Sequence, residues 1–215
     1  MKAWILRSFK KGIITTRFPK GKNEVASPWS TTPVYRDGNA NPYCPTGAIT
    51  NKKVDANLCI SCGLCYPEFE PSMDVRGSIS HLSVPALKKS IRLYSIDVGS
   101  CGACNLEVMA MVSPQYDMTR LGVSFTNTPR HADALLVSGV LTPGMMDPLR
   151  RAYEAMAEPK IVFAIGACAI SGSLLGKSIS DALKIDVIVP GCPPDPFTIV
   201  DAIQKSRGLQ RISYF

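Results

Sequence analysis

The sequence predicts an α/β fold in which a parallel β-sheet is covered by helices on both faces. Two observations lead to this prediction. From about residue 90 onward, short apolar stretches alternate with helical stretches, as in chains built from βαβ units. The apolar stretches are also nearly continuous rather than alternating with polar residues, which indicates strands buried on both faces. Residues 1–85 lack this pattern and are rich in proline, glycine, asparagine and lysine.

Residues 86–215 form the predicted α/β domain, and its elements follow one another in βαβ order. Strands are predicted at Ile91–Val98, Gly122–Phe125, Ala134–Val140, Lys160–Ile165 and Val187–Val189. Helices are predicted at Ala103–Val112, Met146–Met156 and Phe197–Lys205. Prolines just before the last helix favour a helix start. This alternation predicts a doubly wound sheet with a flavodoxin-like strand order.

Residues 1–22 carry seven basic side chains and no acidic one, interleaved with apolar residues. This pattern favours an amphipathic segment that docks on an acidic partner or an anionic membrane surface. No nucleic-acid-binding motif accompanies it, so nucleic acid is not an expected partner. The sequence contains no apolar run near the roughly 18 residues of a membrane span and no evident signal peptide, which predicts a cytoplasmic protein.

Eight cysteines are present, and in a reducing compartment clustered cysteines are typical of metal ligands rather than disulfides. One set falls in the α/β domain, in glycine-rich loops that each follow a predicted strand: Cys101, Cys104, Cys168 and Cys192. Because binding sites in doubly wound sheets lie outside the carboxyl ends of the strands, we expect these four thiolates to converge. The alternative is that they are small buried apolar residues, as free cysteines often are.

The second set lies in residues 23–85, a loop-rich segment that has little apolar core of its own. It comprises Cys44, which precedes a proline, and the run Cys59, Cys62 and Cys65. The spacing C-x2-C-x2-C, with a further Cys-Pro, is the ferredoxin signature for a 4Fe–4S cluster. The sequence therefore predicts a single-cluster ferredoxin-like segment, with a four-cysteine structural zinc site as the rival. All eight cysteines are then ligands, and no dinucleotide or P-loop fingerprint is present.

Several stretches of the α/β domain resemble one known family. They are Val98-Gly-Ser-Cys-Gly-Ala-Cys-Asn-Leu-Glu107, Thr128-Pro-Arg-His-Ala-Asp133, Val137-Ser-Gly-Val-Leu-Thr142, Gly166-Ala-Cys168 and Pro190-Gly-Cys-Pro-Pro194. They resemble the small subunit of [NiFe]-hydrogenases in the short form shared with the B-type subunit of respiratory complex I. The spacing of Cys101 and Cys104 is hydrogenase-like and most similar to the membrane-bound, energy-converting (group 4) enzymes, including formate hydrogenlyase. Asn105 departs from several of those subunits, which carry an acid there.

The resemblance implies that Cys101, Cys104, Cys168 and Cys192 hold the 4Fe–4S cluster nearest to an active site on a separate large subunit. Residues 9–19 resemble the start of the ferredoxin-type subunit of the same complexes. The chain thus looks like a truncated ferredoxin-type subunit fused to a small subunit, with two 4Fe–4S clusters in all. The implied partners are the large subunit, a further ferredoxin-type subunit or ferredoxin donor, and membrane-embedded subunits. The implied place is the cytoplasmic side of the cell membrane, as a peripheral protein.

Three functional hypotheses follow. The first is a non-catalytic electron-relay subunit of a group 4 hydrogenase, and the second is the equivalent subunit of a quinone- or sulfur-reducing relative. The third, from another class, is a binding module stabilised by zinc. Glu107 has either a proton-handling or interface role or that of a solvated helix acid. Arg130 and His131 either tune charge near a cluster or belong to a surface loop, and His81 is expected at the surface.

Overall fold

The protein is described here from a computed structural model, which covers residues 31–72, 79–80 and 83–209. The predicted docking segment of residues 1–22 lies outside the described residues, and so does His81. The division of the chain into residues 1–22, 23–85 and 86–215 stays a prediction.

Residues 31–72, here called the N-terminal region, contain two small antiparallel sheets joined by loops. Their strands are β1 (Pro33–Tyr35), β2 (Ile49–Thr50), β3 (Lys53–Val54) and β4 (Phe69–Pro71). β1 pairs with β4 and β2 pairs with β3. The ring of Tyr35 meets that of Phe69 edge-on, with centroids 5.4 Å apart. Very few side chains of this region are buried, as the sequence predicted.

The C-terminal part forms a six-stranded sheet with helices on both faces. Its elements are β5 (Ile79–Ser80), β6 (Ile91–Asp97), α1 (Ala103–Ala110), β7 (Val123–Phe125), β8 (Ala134–Ser138), α2 (Met146–Ala155), β9 (Ile161–Ile165), α3 (Gly166–Ser171), β10 (Val187–Val189) and α4 (Pro196–Ser206). The strand order is β5-β10-β9-β8-β6-β7, and β6 to β10 are all parallel. This is the flavodoxin-like order, so the predicted fold class is confirmed.

Two elements of this sheet escaped prediction. The edge strand β5 pairs antiparallel with β10 through only two residues, too few for a periodic pattern. The helix α3 has six residues and follows β9 without a loop, so in the sequence its apolar residues continue the apolar run of the strand. The predicted helix over residues 103–112 is also shorter, because α1 ends at Ala110.

Alternate residues of the central strands point to opposite faces and build two apolar cores. Ile161, Phe163 and Ile165 of β9 pack in the core that includes side chains of α1 and α4. Val162 and Ala164 pack in the core that includes side chains of α2 and α3. All five are fully buried, which explains why the strand reads as a continuous apolar run. No helix in the described part of the chain has the length and apolar character needed to cross a membrane.

The chain just after α4 is joined to two segments at the amino edge of the sheet by one buried side chain, Arg207. Its Nε donates to the carbonyl oxygen of Leu87 at 2.8 Å, and its Nη1 donates to that of Leu121 at 2.9 Å. Its Nη2 donates to the carbonyl oxygen of Lys88. The guanidinium thereby ties the C-terminal helix to the segment that precedes β6 and to the turn that precedes β7.

Candidate metal centres

The cysteines of the α/β domain lie at the carboxyl edge of the parallel sheet. Cys101 lies in the loop after β6 and Cys104 in the first turn of α1. Cys168 lies in α3, directly after β9, and Cys192 lies in the loop after β10. Parallel strands end at the same edge, so the loops that carry these residues open toward one place.

Contacts of Gly166 show that these loops meet. Its backbone has a φ of +83°, and a Cβ added to it would lie 2.6 Å from the Sγ of Cys104 and 3.4 Å from the carbonyl oxygen of Gly191. A single glycine after β9 therefore lies directly against a thiol from the β6 loop and near backbone of the β10 loop. Only a residue without a side chain permits this approach.

Three thiols of this set have raised pKa values, and charges within the set contribute to each of them. Burial raises the pKa of Cys104 to about 12, and the charges of the other three cysteines add to the effect. Burial likewise raises the pKa values of Cys168 and Cys192, and each of these also responds to the charge of Cys101. Thiols that affect one another in this way are close in space. The site favours neutral thiols when it holds no cation, so a bound positive centre has to displace protons.

The cysteines of the N-terminal region surround a pocket of their own. All four predicted ligands line it, together with mostly apolar groups such as Ile49, Val54 and Ile60. A pocket ringed by four thiols and lined mostly by apolar groups suits an iron–sulfur cluster. The four ligands predicted here are Cys44, Cys59, Cys62 and Cys65.

Hydrogen bonds to sulfur distinguish Cys44 from the others. Burial would raise its pKa, but the side chain and amide of Thr46, with the amides of Ala48 and Ile49, lower it below the ordinary value. The Sγ of Cys44 lies 3.5 Å from Oγ1 of Thr46. Cys59 accepts from the amide of Ser61 at 3.4 Å, yet burial raises its pKa. Amides aimed at sulfur stabilise a thiolate and tune the potential of a bound cluster.

One electrostatic effect links the two cysteine sets. After burial and the charges of Cys168 and Cys101, the charge of Cys62 also raises the pKa of Cys192. Cys62 is exposed in the N-terminal region and Cys192 is exposed at the sheet edge.

The donor chemistry of the two sets fits either of the two predicted metal groups. Zinc is bound by four thiolates at about 2.3 Å from each sulfur. A 4Fe–4S cluster takes each of its four thiolates on a different iron. In the described residues, no three or more Cys, His, Asp or Glu side chains are arranged to hold a single metal ion.

Asp97 was missed by sequence reasoning, although it borders the cysteine loop after β6. Its carboxylate accepts hydrogen bonds from the amides of Gly99 and Ser100 and from the side chains of Ser100 and Asn105. Burial acts against ionisation, but these hydrogen bonds lower the pKa of Asp97 below its ordinary value. The acid four residues before Cys101 is the only signal in the sequence that could have indicated it.

The other predicted site residues separate into two groups. Glu107 lies on α1, half-buried, and burial followed by the charge of Asp195 raises its pKa. Asp195 itself caps α4 by accepting from the amide of Phe197 at 2.8 Å. Arg130 and His131 are exposed in the turn that precedes β8, at the sheet edge opposite the cysteines. Their position fits the surface-loop interpretation rather than tuning of a cluster.

Comparison with known proteins places this architecture in a family. Residues 101–206 match the family described as NADH ubiquinone oxidoreductase, 20 Kd subunit. A probable membrane-bound hydrogenase subunit, mbhJ of Pyrococcus furiosus, is 39% identical over 52% of this chain and 70% of its own length. The chain belongs to this family. The match begins at Cys101, so the cysteines of the N-terminal region lie before it.

Two further relatives bear on function. Formate hydrogenlyase subunit 7 of Escherichia coli K12 is 35% identical over 64% of this chain and 57% of its own length. Among solved structures, a chain of the membrane-bound sulfane sulfur reductase, an archaeal respiratory membrane complex, superposes with a TM-score of 0.51. That chain is 29% identical, and the similarity covers 57% of this chain and 71% of the other.

Proposed function

We propose that this chain is the electron-transfer subunit of a multisubunit, membrane-associated oxidoreductase of the group 4 [NiFe]-hydrogenase type. One observation carries the proposal: three loops of the sheet bring four cysteines to one edge, with Gly166 directly against the Sγ of Cys104. The family membership agrees with it, since relatives are named as subunits of a membrane-bound hydrogenase and of formate hydrogenlyase. With all eight cysteines assigned as cluster ligands, none is left to act as a nucleophile in bond chemistry, so electron relay is the function that the sites support.

Each cysteine set would hold one 4Fe–4S cluster. Cys101, Cys104, Cys168 and Cys192 would hold the cluster near the catalytic metal of a partner, and Cys44, Cys59, Cys62 and Cys65 would hold a second. A bound 4Fe–4S cluster supplies one-electron redox chemistry at a potential that the surrounding protein sets. The chain's own part is to supply thiolates, to aim amides at sulfur and to exclude water. The effect of the charge of Cys62 on the pKa of Cys192 supports transfer between the two within one chain.

The partners would be a catalytic large subunit and a donor of ferredoxin type. Leu106, Met109 and Val112 project from one side of α1 and its end, and each is more than half exposed. Large exposed apolar side chains at this spacing beside Cys104 suit burial against another subunit. Tyr43 and Tyr66, next to Cys44 and Cys65, are likewise exposed and would meet the donor.

Metal analysis of the anaerobically purified full chain tests the cofactor. Two clusters predict about eight iron atoms and eight acid-labile sulfides per chain. Stoichiometric zinc with little iron would contradict the relay and support the zinc-stabilised binding module instead. The chain alone should neither evolve nor oxidise hydrogen, yet it should accept electrons from a low-potential reductant.

Membrane association is proposed for the whole complex, on its cytoplasmic side, and the basic segment of residues 1–22 would contribute to it. Each basic side chain near anionic lipid is worth about 1 kcal/mol. Deleting residues 1–22 should therefore release the assembled complex from membranes or make its binding sensitive to salt. Unchanged retention and assembly would remove this part of the proposal.

A sulfur- or quinone-reducing complex is the second candidate, favoured by the similarity to the sulfane sulfur reductase chain. The two candidates differ in the large subunit rather than in this chain. Nickel analysis of the purified complex, with a hydrogen–deuterium exchange assay, separates them: nickel and exchange support a hydrogenase, and their absence with sulfur or quinone reduction supports the relative. In a hydrogenase, Cys62→Ser should block electron supply from the donor while exchange at the large-subunit metal persists.

A further inference from the structure

The loop that carries Cys101 and Cys104 is organised around Asp97, the last residue of β6. The Asp97 carboxylate accepts from the amides of Gly99 and Ser100, both at 2.8 Å. It also accepts from the Ser100 hydroxyl at 2.7 Å and from Nδ2 of Asn105 at 2.6 Å. One side chain therefore fixes both the residues before Cys101 and the residue after Cys104.

Asn105 extends this network to the neighbouring strand. Its Oδ1 accepts a hydrogen bond from the hydroxyl of Ser138, the last residue of β8. Its Nδ2 also lies 3.2 Å from the Ser100 hydroxyl, which in turn accepts from the amide of Gly102 at 2.9 Å. The network thus joins β6, α1 and β8 at the point where the strand order reverses, which is where binding sites of doubly wound sheets form.

Backbone packing leaves this loop little room to move. A Cβ at Gly139 would lie 2.5 Å from the carbonyl carbon of Gly99 and 2.6 Å from the amide nitrogen of Ser100. The amide of Val140 donates to the carbonyl oxygen of Gly99 at 3.1 Å. The loop before Cys101 is therefore held in place both by the hydrogen bonds to Asp97 and by backbone packing against Gly139 and Val140.

We propose that Asp97 is a positioning residue for the cluster held by Cys101 and Cys104, and that its carboxylate charge lowers the reduction potential of that cluster. The positioning follows from the four hydrogen bonds and the link through Asn105 to Ser138. The effect on potential follows from charge: reduction adds an electron to the cluster, and a fixed negative charge nearby opposes that addition. The inference rests on the proposed function, because it requires a cluster at this site.

The test compares Asp97→Asn with Asp133→Asn in the anaerobic full chain. Asp133 is the matched control, since its carboxylate also accepts a backbone amide hydrogen bond, from Arg92 at 2.8 Å, but at the opposite sheet edge. Iron content and a redox titration followed by electron paramagnetic resonance are measured for both. Asp97→Asn should raise the potential of one cluster, or lose that cluster's iron, while the other cluster and the control keep wild-type values. Full iron with both potentials unchanged would overturn the inference.

Asn105→Ala separates position from charge and remains informative if Asp97→Asn does not fold. It keeps the carboxylate but cuts the link between Asp97 and Ser138, so the cluster should be lost to a chelator several-fold faster with little change in potential. An unchanged rate of loss overturns the positioning role. If the wild-type chain itself binds no iron at Cys101, Cys104, Cys168 and Cys192, the proposed function is wrong. That outcome differs from a bound cluster whose potential and stability do not change when Asp97 is replaced.

Discussion

The N-terminal region and the α/β domain solve the same problem, the placement of four thiols, in different ways. In the N-terminal region three of the four cysteines fall within seven consecutive residues, and the apolar side chains of the region are mostly exposed or half-buried. In the α/β domain the cysteines span residues 101–192, and two large apolar cores hold the loops that carry them. The first site is local in sequence and the second is created by the sheet.

The comparison indicates which region depends on its cofactor. A region with so little buried apolar area cannot by itself offset the entropy of ordering its chain, and the proposed cluster would supply the missing stabilisation. The α/β domain buries enough apolar surface to fold without a cofactor. Removing the cluster of the N-terminal region should therefore unfold that region. Removing the other cluster should leave the α/β domain folded.

The largest effect is expected from Cys62→Ser. It should remove about four of the eight expected irons and leave the N-terminal region without its stabilising cluster. Hydrogen exchange should show rapid exchange over residues 31–72 and unchanged protection in the strands of the sheet. Leu64→Ser is the control, because Leu64 lies between two ligands but is 61% exposed. Loss of both clusters from a folded Cys62→Ser chain would show that the ligand sets are wrongly divided.

Cys192→Ser is the reciprocal change and should sharpen the contrast. It should also remove about four irons, but the circular dichroism of the sheet and the cooperativity of unfolding should remain. The contact with the large subunit should weaken, because the altered loop lies at the proposed interface. Collapse of the domain on loss of this cluster would mean that the two regions depend on their cofactors equally.

Arg207→Ala should weaken the α/β domain without touching either site. Removing the guanidinium leaves the buried carbonyl groups of Leu87 and Leu121 without this donor, and each such loss costs about 1–3 kcal/mol. We expect the free energy of unfolding to fall by roughly 3–5 kcal/mol in a denaturant titration. Arg151→Ala removes only an exposed i,i+4 ion pair with Asp147 and should cost about 1 kcal/mol or less. Similar losses of stability in the two variants would contradict the stabilising role assigned to the Arg207 guanidinium.

Gly166→Ala should disturb the second cluster selectively. The added Cβ would meet the Sγ of Cys104 at 2.6 Å, so the thiol has to move. Gly102→Ala is a matched control, since Gly102 also has a positive φ, +89°, but no atom lies within 4 Å of its Cβ position. Both variants carry about 1–3 kcal/mol of backbone strain, and only Gly166→Ala should lose iron from one cluster. Equal iron losses would assign the effect to strain rather than to contact.

The smallest effects concern pH in the cluster-free chain. Because folding raises the pKa of Cys104 from 9.0 to about 12, the folded state favours the neutral thiol. This contribution to stability is complete below the ordinary pKa and is lost as pH rises toward the raised one. Denaturation between about pH 8 and about pH 10 should show stability falling by up to about 1.4 kcal/mol per pH unit. Cys104→Ala should flatten that slope.

Thiol labelling compares the regions under the same conditions. Hydrogen bonds to sulfur outweigh burial and lower the pKa of Cys44, whereas burial raises that of Cys104. At neutral pH, iodoacetamide should therefore modify Cys44 of the cluster-free chain much faster than Cys104, because only thiolates react. The order should hold even where the N-terminal region unfolds, since Cys44 is then accessible while the folded α/β domain still buries Cys104. Equal labelling rates, measured by peptide mass spectrometry, would contradict the difference in thiol pKa between Cys44 and Cys104.

The sequence by itself determined the α/β class, the positions of the central strands and the identity of both cysteine sets as candidate ligands. Short continuous apolar runs such as Ile161–Ile165 favour strands buried on both faces, and their alternation with helical stretches indicates the doubly wound fold. The C-x2-C-x2-C spacing is equally local. These properties can be predicted from the sequence because they depend on residues that are close together along the chain.

Tertiary structure alone decided the rest. The contact between Gly166 and Cys104 joins residues 62 positions apart, and the hydrogen bond from Ser138 to Asn105 joins residues 33 apart. The same holds for Arg207, whose partners lie 120 and 86 positions away, and for the electrostatic effect of Cys62 on Cys192. No local pattern carries such pairings, because they depend on strand order and loop packing, which appear only once the sheet has closed its two cores.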